Sequence, residues 1–575
     1  MRHFEYFSNI MFSRQKIKQQ FFRAFLQLLL RNMWASRGNV NIYEKVNKCS
    51  LKGLKRVKKL LKMWIIVIIF VVVFISYNFV TFRPSGMPPG PRFRLPLIGS
   101  MYKLGSDPIK GVSKLRKIYG DIFSMSLGEG YLVYVCDLET MEKIGKMDVF
   151  STRQDIYEKA NVAKIINWVR HEDSDPGVTH GLVNNSGQSW SEQRRFALRH
   201  LRDFGFGKSS MEDLILDEAK ELINDIKAEI GTNDKVTINE RFNLAIVNAL
   251  WKIITSKRLD PQNQEDKQRI HDLNDFFKQF GITGLIMVVA LRLPFFLATR
   301  IPAMIKIREL YGKLFQWFRQ ESEEHEATFD GDNLRDFLDT YIAERKRAND
   351  ANDVNSTFYG NKGDMNYVMT MFDLFLAGSE TTSTTLTYAV LLMLHDPQPW
   401  KKARQELDSV VGRSRLPTLA DRPDLPYFEA LISEVMRRSN VAPFAVFHSS
   451  LVEAHINQYK IPPHAVIVFA LTEVLNNPKY FPEPEKFKPE RFLKEDQDSG
   501  KLVYNPHPAL VYFGTGKREC LGKSLAKSEI FLFLSALIHT FDFEPTDEGF
   551  PGLDDCNVSI TRSPKLFNAK ISVRA

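Results

Sequence analysis

The sequence contains little cysteine and no repetition. Only four cysteines occur among 575 residues, which argues against a fold that disulfides hold together. We find no internal repeat and no low-complexity tract, so neither a repeat array nor a disordered chain is indicated. With 44% hydrophobic and 12% aromatic residues, the chain has enough apolar side chains to bury the core of one large domain.

Acidic residues are scarce in residues 1–62, which hold 15 Lys and Arg but only 2 Glu. This segment therefore carries a net charge of +13, and the rest of the chain contributes −3 to the total of +10. The basic surplus belongs to an N-terminal extension and not to the domain that follows. We therefore expect no nucleic-acid partner.

Charged side chains are absent from residues 63–82, MWIIVIIFVVVFISYNFVTF. At about 1.5 Å per residue, a helix of this length spans about 30 Å, the thickness of a bilayer core. This predicts an N-terminal transmembrane anchor. Residues 83–99 contain PPGP and LPLIG, which cannot continue a helix and predict a stiff hinge before a domain over residues 100–575.

The most informative motif surrounds Cys520. Residues 513–522 read FGTGKRECLG, and an apolar run typical of a helix extends from Leu521 to Phe541. A helix N-terminus that points at a cysteine lowers the pKa of its thiol. We therefore expect the pKa of Cys520 to be lowered.

This F-x-x-G-x-R-x-C-x-G pattern resembles the haem-thiolate loop of the cytochrome P450 superfamily. The resemblance implies that Cys520 is the axial ligand of haem iron, since a thiolate in that place favours O–O cleavage. It also implies that Gly516 and Gly522 let the backbone approach the macrocycle, that Phe513 shields the sulfur, and that Arg518 binds a haem propionate.

A second motif lies inside the long apolar stretch from Met365 to Leu394. Residues 377–382 read AGSETT, which resembles the central helix of the same family. By that resemblance Gly378 opens a groove for dioxygen, and Glu380 and Thr381 form the acid–alcohol pair that delivers protons. The alternative is a core helix rich in Ser and Thr whose hydroxyls bond to its own carbonyls.

Three further residues are expected to reach haem propionates. Trp190 and Arg194 stand at i and i+4, on one face of a predicted helix, and resemble the family's W-x-x-x-R. His448 is the third candidate, at a position where many microsomal members have a histidine. Phe447 departs from the family, which often has proline before this histidine.

An E-x-x-R motif and a downstream P-E-R-F complete the set. Glu434 and Arg437 can pair on one helix face. The segment PERF at residues 489–492 resembles the family motif that supplies a third member, Arg491. The resemblance implies a buried, structural ion triad that supports the region around the haem loop.

The predicted fold class is mainly α with small β-sheets, an α+β arrangement that matches the cytochrome P450 fold with an N-terminal transmembrane helix. Strands are predicted at 132–135 and 466–470. Helices are predicted at 211–230, 267–280, 305–325, 333–348, 365–394, 400–411, 427–438 and 521–541. Between two of these helices, the apolar residues 281–290 and 294–297 predict either a second membrane contact or core.

Localisation depends on residues 1–62, for which three explanations stay open. Either the protein starts at Met63, or the segment is a mitochondrial presequence, or it is a genuine extension. The basic residues next to the anchor favour keeping that end in the cytosol, which opposes the family's topology. We expect the endoplasmic reticulum membrane, with the catalytic domain in the cytosol, and keep the mitochondrion as the alternative.

The predicted function is that of a haem-thiolate monooxygenase. It inserts one oxygen atom of O2 into a small lipophilic substrate, a steroid, terpenoid, fatty acid or xenobiotic. Residues Phe372, Phe375, Val441 and Val446 are expected to line the substrate pocket. The alternatives are a haem-thiolate isomerase or dehydratase, and a non-catalytic haem-binding protein; keeping both Glu380 and Thr381 disfavours the former.

The partners are implied by the same resemblance. Electrons from NADPH are expected through a membrane-bound cytochrome P450 reductase, with or without cytochrome b5. Two basic groups are expected to attract the acidic face of the reductase. They are Arg195, Arg199 and Arg202 after Trp190, and Lys517, Lys523 and Lys527 around Cys520.

Overall fold

The computed structural model describes residues 63–67, 83–95, 98–127, 130–153, 160–170, 178–203, 209–233, 235–239, 241–291, 293–558 and 561–574. The chain divides into two units, Met1–Phe79 and Val80–Ala575, and every element described below lies in the second. The predicted extension and all of the predicted anchor except residues 63–67, which are helical, lie outside the described residues. None of the described helices is both long and apolar enough to cross a bilayer.

Helices make up most of the described chain. Their bounds are α1 Pro108–Tyr119, α2 Leu138–Lys146, α3 Ala160–Arg170, α4 Gly187–Asp203, α5 Ser209–Ile230, α6 Asn243–Thr255, α7 Gln264–Ala290, α8 Phe295–Ala298, α9 Pro302–Ala327, α10 Phe337–Asp350, α11 Gly360–His395, α12 Gln398–Val410, α13 Pro426–Ser439, α14 Leu471–Leu475 and α15 Lys523–Thr540.

The strands form small sheets. Their bounds are β1 Ile122–Leu127, β2 Gly130–Val135, β3 Val236–Thr237, β4 His448–Ser449, β5 Ala454–Ile456, β6 Tyr459–Ile461, β7 Val466–Phe469, β8 Leu493–Glu495, β9 Leu502–Tyr504, β10 Phe541–Pro545, β11 Cys556–Val558, β12 Arg562–Pro564 and β13 Asn568–Val573.

The largest described sheet has the strand order β1-β2-β7-β4. Strands β1 and β2 form an antiparallel hairpin, and β2 pairs with β7 in parallel, with Leu132 opposite Val466. A second sheet has the order β10-β13-β3, and three two-stranded hairpins pair β5 with β6, β8 with β9 and β11 with β12. The predicted fold class, mainly helical with small sheets, is therefore confirmed.

Helix α11 runs through the centre of the helical core. It packs against α6, α9, α13 and α15, and nearly every apolar residue along its length is buried. Its predicted bounds, 365–394, are close to the observed Gly360–His395. The prediction succeeds here because the apolar stretch is long and ends at His395, just before an Asp-Pro pair.

The prediction for residues 281–297 is partly wrong. Residues 281–290 do not separate two helices, because α7 continues through them to Ala290. The predicted helix ends at residue 280, whereas the observed helix includes Gly281 and Gly284. Glycine lowers helix stability by only about 1 kcal/mol, and packing can override that preference. The following segment forms the short helix α8, in which Phe295, Phe296 and Leu297 are exposed.

Three of the four expected pocket residues belong to the core instead. Phe372 and Phe375 are fully buried among aromatic side chains of α6 and α9, with Phe375 lying 5.2 Å from the Trp251 ring. Val441 is also buried, whereas Val446 is exposed. The apolar composition of α11 therefore reflects helix packing more than a substrate pocket.

Candidate active site

The segment around Cys520 is a tight loop that ends at the start of α15. Residues Gly516–Arg518 form one turn of 3-10 helix, and the Cys520 amide donates a hydrogen bond to the Phe513 carbonyl at 3.0 Å. Gly514 and Gly516 adopt φ values of 73° and 78°, in the left-handed region that glycine favours. The loop therefore brings Phe513 and Cys520 next to each other.

Gly516 also allows a close backbone contact with α2. A Cβ atom at Gly516 would lie 2.1 Å from the Gly145 carbonyl oxygen, and one at Gly145 would lie 2.9 Å from the Thr515 oxygen. Neither position can carry a side chain unless the backbone moves. The pattern of glycines in the loop therefore serves the contact with α2 as well as the turn.

The pKa of the Cys520 thiol differs from the expectation. Burial raises the pKa, and the Gly522 backbone N–H and the Arg194 guanidinium only partly oppose that effect. The helix N-terminus thus lowers the pKa as predicted, but less than burial raises it. The Cys520 residue as a whole is nevertheless exposed.

Two arginines lie beside the indole of Trp190, and a third arginine lies near them. The Arg518 guanidinium carbon lies 3.7 Å from the centre of the Trp190 ring, and that of Arg194 lies 5.8 Å away. Arg194 also donates to the backbone carbonyl of Glu519 at 2.5 Å, which joins α4 to the cysteine loop. The third member is Arg153, whose charge lowers the pKa of Arg518.

These arginines have no acidic partner among the described residues. Arg153 donates to the Phe447 carbonyl at 3.2 Å. Arg518 donates only to backbone carbonyls, those of Ser151, Leu182 and Asn185, at 2.8, 3.3 and 2.5 Å. The charges of Asp373 and Glu519 act on Arg153 and Arg194, but neither carboxylate forms an ion pair with them. Three neighbouring cations without an ion pair are costly in the interior of a protein unless an anion completes the cluster.

The pKa values express that cost. Burial and the neighbouring arginines lower the pKa of Arg518 to about 8 and that of Arg153 to about 9. The pKa of Arg194 is lowered as well, mainly by burial. In addition, Trp190 Nε1 and Arg153 Nε are buried N–H donors that lack a hydrogen-bond partner. Such donors indicate a place for an acceptor.

His448 lies at the edge of this cluster but is poorly suited to bind an anion. Its Nδ1 lies 2.9 Å from the Phe150 carbonyl oxygen, which can only accept a hydrogen bond. Burial and the charges of Arg153 and Arg518 lower its pKa to about 3, so the ring is neutral with its proton on Nδ1. Nε2 is then an acceptor, and His448 could donate to a propionate only if the ring became protonated.

Helix α11 opens onto an accessible space at its midpoint. Ala377 is exposed although Phe375 and Ser379 on either side of it are buried. Glu380 and Thr381 follow within one turn and are half-buried. Among the residues that the structure describes, no hydrogen bond connects either side chain to the arginine cluster.

The hydroxyls of α11 bond mostly to the helix itself. Thr381 donates to the Ala377 carbonyl at 2.9 Å, and Ser379, Ser383, Thr385 and Thr387 bond in the same i to i−4 manner. This is the pattern that the alternative interpretation predicted. Glu380 differs, because its Oε1 accepts a hydrogen bond from the Thr561 hydroxyl at 2.9 Å.

Gly378 has a packing role. A Cβ atom at this position would lie 2.6 Å from Leu250 Cδ2 of α6. The glycine therefore permits the close approach of α6 and α11. The geometry adds no separate observation for the dioxygen groove that the family resemblance implied.

Glu434, Arg437 and Arg491 come together as a buried triad. Arg437 binds both Glu434 oxygens, at 2.7 and 2.8 Å, and Arg491 Nε lies 3.2 Å from Glu434 Oε1. Backbone groups complete the hydrogen bonds of the triad. The Lys488 N–H donates to Glu434 at 2.9 Å, and Arg437 donates to the Leu475 carbonyl at 2.8 Å. A buried ion group is stable only when its hydrogen bonds are completed in this way.

Comparison with known proteins decides the family. The model of the cytochrome P450 family matches residues 88–571. Cytochrome P450 2B19 of Mus musculus is 32% identical over 461 residues, which cover 79% of this chain and 87% of that protein. Cytochrome P450 2L1 of Panulirus argus is 32% identical over 502 residues, covering 86% and 96%. Cytochrome P450 18a1 of Drosophila melanogaster is 30% identical over 494 residues, covering 85% and 87%.

The chain belongs to the cytochrome P450 family.

Membership in the cytochrome P450 family makes the protein an oxidoreductase, a monooxygenase of a family that uses O2 and haem iron bound by a cysteine thiolate. The residues present fit that cofactor. Haem carries two propionate carboxylates. Among the described residues, Arg153, Arg194 and Arg518 form no ion pair, and Arg153 Nε and Trp190 Nε1 are buried donors without a partner.

Arg153 and Thr561 were missed by the sequence analysis. Arg153 follows a short polar segment with no motif around it, and Thr561 lies in a hairpin near the C-terminus. Each is identified only by its contacts with residues far away in the sequence. No periodicity or spacing in a single sequence indicates such a contact.

Proposed function

We propose that Cys520 binds haem iron and that the protein inserts one oxygen atom of O2 into a small lipophilic substrate. The observation that carries this proposal is the cluster of three arginines and Trp190, which has unsatisfied donors and adjoins the Cys520 loop. When bound, the haem supplies the site of dioxygen activation, while a thiolate ligand favours O–O cleavage.

The residues of the chain then have separate tasks. Trp190, Arg153, Arg194 and Arg518 bind the propionates, and the bonds of Arg194 and Arg518 to backbone carbonyls hold both side chains in place. Gly516 and Gly522 keep the loop free of side chains, and Phe513 covers the sulfur. The triad of Glu434, Arg437 and Arg491 stabilises the surrounding backbone.

Glu380 and Thr381 are proposed to deliver protons. Burial raises the pKa of Glu380, while the hydrogen bond from Thr561 opposes the rise. A carboxyl group with a raised pKa keeps its proton to higher pH than an ordinary carboxyl group and can therefore act as a proton donor. Thr381 lies next to it, in the accessible part of α11, and its hydroxyl can also accept a hydrogen bond.

A lipophilic substrate of the steroid, terpenoid, fatty-acid or xenobiotic class is supported by the exposed apolar side chains beside the cluster. Val446 and Phe447 are both exposed, and the Phe447 carbonyl accepts a hydrogen bond from Arg153. Apolar side chains in contact with a cofactor site favour ligands that gain free energy by leaving water.

The proposed electron source is NADPH, through a membrane-bound reductase with an acidic docking face. Arg195, Arg199 and Arg202 are exposed on α4, the helix that carries Trp190 and Arg194. Of the lysines near Cys520, Lys517 and Lys523 are already paired with Asp148 and Glu519, and Lys527 is half-buried. The arginines of α4 are therefore the better candidates for attracting the reductase.

We propose the endoplasmic reticulum membrane as the location, with a cytosolic catalytic domain. The uncharged residues 63–82 and the proline-rich residues 83–99 support it. The exposed apolar residues of α8 fit a second contact with lipid. N-terminal sequencing of the mature protein, with cell fractionation, tests this location against the mitochondrion.

The haem assignment is tested with carbon monoxide difference spectra of the reduced protein. We expect a thiolate-type Soret band in the wild type and its loss in Cys520→Ala. The matched control is Cys556→Ala, because Cys556 is a half-buried free thiol outside the loop and should leave the band intact. An unchanged band in Cys520→Ala overturns the assignment.

The activity is tested by NADPH consumption and product analysis with reductase present, over a panel of lipophilic compounds. Oxygenated product from labelled O2 supports the monooxygenase. Product without NADPH use indicates an isomerase or dehydratase, and a normal spectrum without any turnover indicates a non-catalytic haem protein.

A further inference from the structure

The carboxyl group of Glu380 is tied to a residue near the opposite end of the chain. Thr561 Oγ1 donates a hydrogen bond to Glu380 Oε1 at 2.9 Å. Thr561 immediately precedes β12 in the hairpin that β11 and β12 form, with Val558 opposite Arg562. A hydroxyl from a β-hairpin thus reaches the turn of α11 that carries Glu380 and Thr381.

The residue after Thr561 fixes that hydroxyl against α11. Arg562 is buried, and its guanidinium carbon lies 5.5 Å from the centre of the Tyr388 ring, two turns further along α11. Its side chain donates to the Leu553 carbonyl at 2.5 Å and to Asp554 at 3.0 Å. Its backbone N–H donates to the Val441 carbonyl at 2.7 Å. The backbone beside Thr561 is therefore held by contacts that do not involve Glu380.

The electrostatic surroundings of Glu380 are simple. Burial raises its pKa and the Thr561 hydrogen bond lowers it. In the part of the chain that the structure describes, the nearby ionisable groups face elsewhere: Glu529 of α15 faces Thr382, and Arg562 faces Tyr388 and Cys556. Thr561 is thus the group on a neighbouring element that acts on this carboxyl.

We propose that Thr561 is a positioning residue that orients Glu380 for proton delivery during dioxygen reduction. This inference rests on the proposed function of Glu380. The hydroxyl can donate to the ionised carboxylate and can accept from the protonated acid, so it can hold the same Oε1 in both states. Each proton that leaves Glu380 is replaced by one from water, and Thr561 keeps its own proton throughout.

The test compares Thr561→Val, which removes the hydroxyl and keeps the shape, with Thr561→Ser, which keeps the hydroxyl. In Thr561→Val we expect the fraction of NADPH electrons recovered in product to fall by roughly three- to tenfold, the factor that corresponds to the net contribution of one ordinary hydrogen bond. Hydrogen peroxide should rise correspondingly. Thr561→Ser should restore most of the coupling.

A readout without turnover is the infrared C=O stretch of protonated Glu380 in the resting protein, titrated with pH and assigned by its loss in Glu380→Gln. The hydrogen bond from Thr561 lowers the pKa of Glu380. The pH midpoint of the infrared titration should therefore move to higher pH in Thr561→Val and return toward the wild-type value in Thr561→Ser. The limb of the pH–activity profile that Glu380 controls should move in the same direction.

In the double variant Glu380→Gln with Thr561→Val, the fraction of NADPH electrons recovered in product should be no lower than in Glu380→Gln alone. The inference is overturned if Thr561→Val changes neither the pH midpoint of the Glu380 infrared band nor the fraction of electrons recovered in product. It is also overturned if the effects of the two substitutions on that fraction are additive. Failure of the proposed function is recognised separately, because the wild type would then lack the thiolate-type band or any NADPH-dependent product.

Discussion

At the residue scale, the most unusual ionisable group is Glu529 of α15. It is fully buried, its Oε1 has no hydrogen-bond partner, and burial raises its pKa to about 8, which the Thr382 hydroxyl only partly offsets. A carboxyl in this position is protonated at neutral pH. It lies in the apolar run of residues 521–541, from which the sequence predicts a helix but not a buried acid.

Glu529 should make the protein less stable as pH rises. In the unfolded chain the group ionises near 4.5, and in the folded protein near 8, so the folded state binds the extra proton between these values. The free energy of unfolding should therefore fall over this range. We expect Glu529→Gln to remove this fall in the free energy of unfolding. At pH 9 the free energy of unfolding of the variant should be higher than that of the wild type by roughly 2–5 kcal/mol.

Urea unfolding of the haem-loaded protein from pH 5 to pH 9 measures the effect. The control is Glu221→Gln, because Glu221 is exposed on α5 and its substitution should leave the pH dependence as in the wild type. Parallel curves for Glu529→Gln and wild type would contradict the prediction.

At the scale of elements, the contact between α2 and the cysteine loop depends on two glycines. Gly514 and Gly516 have similar left-handed φ values, yet a Cβ atom would meet nothing within 4 Å at Gly514 and would lie 2.1 Å from the Gly145 oxygen at Gly516. Substitution at Gly514 introduces backbone strain alone, whereas substitution at Gly516 introduces strain and steric overlap with α2. Strain alone costs about 1 kcal/mol or slightly more in each case.

We expect Gly514→Ala to retain haem, with a small loss of stability. Gly516→Ala should lose more haem and more stability than Gly514→Ala, because the loop must also move away from α2. The measurement is the thiolate-type carbon monoxide band per mole of protein, together with the thermal midpoint. Equal losses in the two variants would mean that the contact with α2 is unimportant.

The elements that the sequence predicts well are those with a long apolar pattern. Helix α11 is predicted within a few residues at each end, and α13 and α15 similarly, because buried length dominates local preference. The extent of α7 was missed, because the periodicity of a short apolar run such as residues 281–290 does not by itself distinguish a buried helix from other buried structure.

The site is predictable only where a motif is contiguous. The Cys520 loop and the residues of α4 could be found from spacing within one segment. Arg153 and Thr561 could not be found in this way, because the first is identified by its proximity to Arg194 and Arg518 and the second by its hydrogen bond to Glu380. Such partners become visible when the fold brings distant segments together.

At the scale of the whole molecule, the charge distribution affects encounter with an electron donor. Arg195, Arg199 and Arg202 are exposed along α4 and, among the described residues, have no acidic side chain within 4 Å. A row of unpaired cations on a helix that contacts the cysteine loop favours an acidic partner.

We expect the double variant Arg195→Glu and Arg199→Glu to slow reduction by the reductase by about tenfold or more at low salt. The difference should shrink as the ionic strength approaches about 1 M, where charges are screened within about 3 Å. Stopped-flow reduction under carbon monoxide measures the rate. The control is Lys401→Glu with Arg413→Glu, which reverses two exposed charges outside α4; an equal loss there would contradict the prediction.

The glycine contact between positions 145 and 516 has a consequence for how this enzyme can change. The two positions lie far apart in the sequence, yet each leaves no room for a side chain at the other. Neither can vary alone without displacing the loop that carries Cys520. In a mutational library confined to residues 138–146, a substitution at position 145 would therefore displace the cysteine loop although the loop itself is unchanged. Position 145 should remain glycine in every variant that keeps the haem.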